Sequence, residues 1–121
     1  MKKIFFAILL IFSALAFSKE IKILEKKLIT DFNKNFPVLE DGKRIKIKEI
    51  DVDIKKNGAV EVEVDFAKGS QTSPDKYEEY AEILGAVFKE RLYEVGGSDY
   101  YLSEIEIDTS GIGKDKKTFY F

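Results

Sequence analysis

The chain of 121 residues has no cysteine, no histidine and no tryptophan, with two prolines and one methionine. Without cysteine there is no disulfide, no thiol nucleophile, no thiolate metal site and no lipoprotein anchor. The missing histidine removes the commonest general base and the imidazole ligand of metal centres. The remaining candidates for chemistry are weak. The glycines of "SGIGK" (Ser110–Lys114) lack Walker spacing and lead into a strand, whereas phosphate loops lead into a helix. Asp51-Val52-Asp53 lies in a strand pattern and lacks the spacing of a calcium loop. Paired carboxylates can cleave a glycosidic bond only in a concave site that pushes their pKa values apart, and an exposed sheet face offers none. A non-catalytic protein without cofactor or metal is expected.

The chain opens "MKKIFFAILLIFSALAFSKE": two lysines, an apolar run from Ile4 to Phe17 broken at Ser13, then small residues. This is the layout of a secretory signal peptide. Fourteen residues of helix span roughly 21 Å, short of a ~30 Å hydrocarbon core. Residues 1–18 are therefore expected to be a leader, cut after Ala16 or Ser18, that sends the protein to the periplasm or beyond. Membrane contact is expected only during export. Residues 19–121 are enough for one domain. Losing the leader removes two lysines and leaves 18 basic against 22 acidic residues, a net charge of −4. That balance argues against nucleic acid as a partner.

Apolar residues at Ile21, Leu24, Leu28, Phe32 and Phe36 form one helical stripe ended by Pro37. A second helix is expected after Ser73 as N-cap, with Pro74 at its first helical position. Its stripe is Tyr77, Tyr80, Leu84, Phe88 and Leu92, and Gly96-Gly97 stops it. Shifted by 56, the first stripe falls on the second. Shifted by 55, "IKEIDVDI" (Ile47–Ile54) falls on "LSEIEIDT" (Leu102–Thr109), and Val64 and Phe66 fall on Phe119 and Phe121. The pattern predicts a duplicated αββ unit, about 19–68 and 73–121. The expected fold is α+β, a two-layer sandwich of a four-stranded antiparallel sheet with two helices on one face. In layout this resembles small exported domains of the peptidase-propeptide and β-lactamase-inhibitor type. None of their motifs is present, so the resemblance implies a plan and no activity.

The stretch "EIDVDIKKNGAVEVEVDF" carries the most specific signal. A two-residue Asn57-Gly58 turn would set Ile54 against Glu61 and mix apolar with acidic residues on both faces. A three-residue loop Lys56-Asn57-Gly58, with Gly58 left-handed, instead sets Ile54 on Val60, Val52 on Val62 and Ile50 on Val64. The other face then opposes Asp53 to Glu61, Asp51 to Glu63 and Glu49 to Asp65. The third strand adds Glu104, Glu106 and Asp108. Opposed like charges destabilise a sheet, so their pKa values are expected to rise. Such a face suits a cation, in first place the basic segment of a protein, with a polyamine or loosely held calcium as other options. Tyr100 and Tyr120 share the parity of the acidic residues and are assigned to the same binding face. An alternative role is a structural or assembly subunit of the cell envelope, associating by strand addition at "TFYF" (Thr118–Phe121).

Overall fold

The structure is a computed structural model that describes residues 19–39, 47–67, 74–109 and 116–121. The leader, the cap Ser73 and the loop from Ser110 lie outside the described residues. Residues 19–34 are helical and form α1. A hairpin follows, β1 (Ile47–Ile54) and β2 (Ala59–Phe66), then α2 (Tyr77–Gly96), β3 (Tyr101–Thr109) and β4 (Lys116–Tyr120). No helix among the described residues is long and apolar enough to cross a membrane.

The second helical stripe does what its spacing predicts, while in the first Ile21 and Leu24 are partly buried and Phe36 packs on the core from beyond the helix end. Leu28 and Phe32 of α1 and Tyr77, Tyr80, Leu84, Phe88 and Leu92 of α2 are buried. Phe32 and Phe88, equivalent under the 56-residue offset, stack on each other with centroids 4.3 Å apart. A bidentate ion pair ties the helices together: Arg91 Nε and Nη2 donate to the Asp31 carboxylate at 2.8 and 2.6 Å. That guanidinium holds the Asp31 carboxyl below its ordinary range. The start of α2 differs from expectation. Pro74–Lys76 form a 3-10 turn, and the α-helix begins at Tyr77 after Lys76, without a side-chain cap. At the other end Gly97 takes φ +78° and donates to Tyr93 O at 2.9 Å, as the Gly-Gly stop requires.

The four strands form one sheet in the order β1-β2-β3-β4. The outer pairs are antiparallel, but β2 and β3 run parallel. The expectation of an all-antiparallel sheet is thus corrected to a mixed one. The reason is the connection: a tight hairpin reverses the chain, whereas α2 carries it back to the end where β2 began. Ile50, Val52, Ile54, Val60, Val62, Val64, Phe66, Leu102, Ile105 and Ile107 are buried in one core with the helical stripes.

The two hairpins share their pairing at an offset of 55. Ile50↔Val64 and Asp51↔Glu63 correspond to Ile105↔Phe119 and Glu106↔Thr118. Each first strand also carries an extra residue at the equivalent place, Lys48 between Ile47 and Glu49 and Ser103 between Leu102 and Glu104. The bulge at Ser103 lets Leu102 and Ile105 both point into the core despite their odd spacing.

Candidate functional site: a lattice of carboxylates

The first hairpin adopts the register that burial selects. Lys55 N–H donates to Ala59 O at 2.8 Å across the loop Lys56-Asn57-Gly58. Gly58 takes φ +90°, and a Cβ there would lie 2.5 Å from Asp99 O. Asn57 Oδ1 accepts the Ala59 N–H at 3.0 Å and closes the turn. Ile54 faces Val60, Val52 faces Val62 and Ile50 faces Val64.

The opposite face follows from that pairing. Asp53, Glu61 and Glu104 form one rung, Asp51, Glu63 and Glu106 a second, and Glu49, Asp65 and Asp108 a third. Nine carboxylates thus occupy a three-by-three lattice, about 4.8 Å between strands and about 6.7 Å along them. On β4 the rungs end in Tyr120, Thr118 and Lys116. Tyr120 is 80% exposed and belongs to this face as expected. Tyr100 does not. It precedes β3 and packs against the core, with its ring beside Gly96. The Ser103 bulge restores the parity that simple alternation would have broken, so Tyr100 points the same way as Leu102.

Among the described residues, Lys55 and Lys116 reach into the lattice from strand ends. Lys55 Nζ lies 2.8 Å from Asp53 Oδ2 and 3.5 Å from Glu61 Oε2, and Lys116 Nζ lies 2.7 Å from Glu106 Oε1. Asp53, then Glu61, raises the affinity of Lys55 for its proton. Across the parallel pair, Glu104 is hydrogen-bonded to Glu61. That bond, together with burial and the repulsion between the two carboxylates, raises the Glu104 pKa above its ordinary 4.5. Asp108 Oδ1 is buried and, among the described residues, has no hydrogen-bond partner.

The face is more concave than alternation alone suggested. A groove of about 620 Å³ runs over the first two rungs, walled by Lys22, Glu25, Lys26 and Ile29 of α1. α1 reaches the sheet edge there, where Glu25 Oε2 accepts the Ile54 N–H at 3.1 Å. Sequence periodicity gave no signal for this wall. A smaller hollow of about 60 Å³ lies between Glu49, Asp51, Glu63 and Asp65. Among the described residues no three acidic groups are close enough together to hold a metal ion. Nine carboxylates spread over three strands give multipoint attraction for several cationic groups at once.

Comparison with models of protein families, with curated proteins and with solved structures finds no match to this chain.

Proposed function

We propose that the protein is an exported, non-catalytic binding or inhibitor-like module whose carboxylate lattice takes a basic segment of another protein. The observation that carries this reading is the three-by-three lattice itself, maintained on the open side of strands β1–β3 whose other side packs into the apolar core. Each of β1, β2 and β3 contributes three acids where threonine would avoid the repulsion and favour the strand. An extended partner presents side chains on one face every ~6.7 Å, the same repeat as the rungs. Lysine or arginine at alternate positions would meet successive rungs, while the α1 wall limits lateral movement. Export through residues 1–18, into the periplasm or the medium, belongs to the same proposal, as does descent of the two αββ halves from one unit. The common register and the bulges at Lys48 and Ser103 support that descent.

The test is capture of an alternating lysine peptide at low ionic strength. Binding that disappears near ~0.5 M salt, where the Debye length falls to about 4 Å, and that weakens in Glu63→Gln and Glu106→Gln variants supports the proposal. Capture that is indifferent to salt and to both variants overturns it.

A further inference from the structure

The two edges of the sheet differ in what their backbone groups have left to give. Lys55 N–H points inward to Ala59, so alternation turns the Val52 and Ile54 N–H groups of β1 outward. Both are occupied by carboxylates: Val52 donates to Asp51 Oδ1 at 3.0 Å and Ile54 to Glu25 Oε2 at 3.1 Å. At the opposite edge Phe121 N–H donates to Ser103 O at 2.9 Å. With the pairing Glu104↔Tyr120 and Glu106↔Thr118, the N–H and C=O groups of Thr118 and Tyr120 then face away from β3. Among the described residues no helix or loop covers them, and no strand follows β4 in the sheet.

We infer that β4 is a docking edge whose occupant is a second copy of the chain, paired antiparallel about a two-fold axis at Thr118. An edge with unpaired donors and acceptors is a template for another strand. The β1 edge of a second molecule fits it poorly head to tail, because Asp51 and Glu25 already hold its Val52 and Ile54 donors. A closed, self-complementary contact leaves no such competition. The sequence of β4, "KKTFY", fits that symmetry. Antiparallel pairing about Thr118 sets Lys116 opposite the partner's Tyr120, Lys117 opposite the partner's Phe119, and the two Thr118 side chains opposite each other. Lysine stems then lie along aromatic rings, and no like charges are opposed. Parallel pairing in register would instead stack lysine on lysine twice. Lys116 can keep its ammonium on Glu106 throughout. The two carboxylate lattices would share one face of an eight-stranded sheet. From β3 to the partner's β3 is three inter-strand steps, roughly 14 Å, and mobile ions screen beyond about 8 Å at physiological ionic strength. This surface is independent of the acidic-face reading.

A five-residue edge is short, so the dimer should form progressively with concentration. Sedimentation velocity of the purified protein, from micromolar towards millimolar, should show the mass rising from that of one chain to that of two. Thr118→Pro removes only an N–H that faces away from β3, and it should hold the protein at the monomer mass with an unchanged circular dichroism spectrum. Tyr120→Lys, at a side chain 80% exposed, places lysine opposite the partner's Lys116 and should shift the association to at least tenfold higher concentration. A protein that stays monomeric throughout, that grows past two chains, or that dimerises equally well in both variants overturns the inference.

Discussion

Replacing Glu104 by glutamine separates the electrostatics of the lattice from its shape. Glu104 sits between Glu61 on β2 and Tyr120 on β4, and its hydrogen bond with Glu61, its partial burial and the repulsion between the two carboxylates push its pKa up. Two unit charges about 5 Å apart repel by about 0.8 kcal/mol in water and about 3 kcal/mol at an effective dielectric near 20. This rung is only partly buried, so solvent screening puts the relief at the lower end, about 1 kcal/mol. The glutamine amide can still donate to Glu61, as the protonated acid does. For a domain of about 100 residues, 1 kcal/mol corresponds to roughly 4–8 °C in Tm. The direction with pH follows from the raised value. In the parent protein the penalty is complete above the folded-state pKa, and it is relieved as pH falls through that value towards 4.5. Thermal melts should therefore place Glu104→Gln above the parent at pH 7, with the gap closing as the pH is lowered to 4.5. A variant no more stable at pH 7, or a gap of constant size at both pH values, would refute the argument.

Three further substitutions probe the supports of the lattice. Phe88→Ala removes the ring stacked on Phe32 at zero exposure and should cost about 3–5 kcal/mol in denaturant titration. A loss below 1 kcal/mol would mean that the helices are not packed as described. Tyr77→Phe deletes a hydroxyl that is buried without a partner and should raise stability by roughly 1 kcal/mol. Destabilisation would show that the hydroxyl is hydrogen-bonded in solution. Arg91→Leu breaks the bridge to Asp31 and should lower Tm at pH 7. Because Asp31 is held below its ordinary 3.8, its contribution is present above that value and fades as pH falls through the folded pKa. The gap between parent and variant should therefore narrow in strong acid, and a gap that widens there would contradict the ion pair.

What could be read from the chain was local. The Lys56-Asn57-Gly58 loop and the alternation on either side of it allow one register that buries Ile50, Val52 and Ile54 together, so the carboxylate rungs of β1 and β2 were legible before any coordinates. The stripe from Tyr77 to Leu92 was legible for the same reason. The parallel join of β2 to β3 was missed because strand direction depends on the path of α2 over the sheet, which periodicity does not encode. Tyr100 was misassigned because a bulge at Ser103 adds one residue to the alternation and leaves no compositional trace. Contacts between distant residues were also silent: Asp31 with Arg91, and Glu25 with the Ile54 N–H. That second contact brings α1 to the sheet edge and makes an open face into a groove.

The most direct measurement is an amide chemical-shift titration with a peptide carrying lysine at every second position. The account predicts that perturbations concentrate on Asp51–Asp53, Glu61–Glu63 and Glu104–Glu106, with weaker ones at Lys22 and Lys26 on the α1 wall. Perturbations confined to the outer surface of α2, or none at low salt, would contradict it.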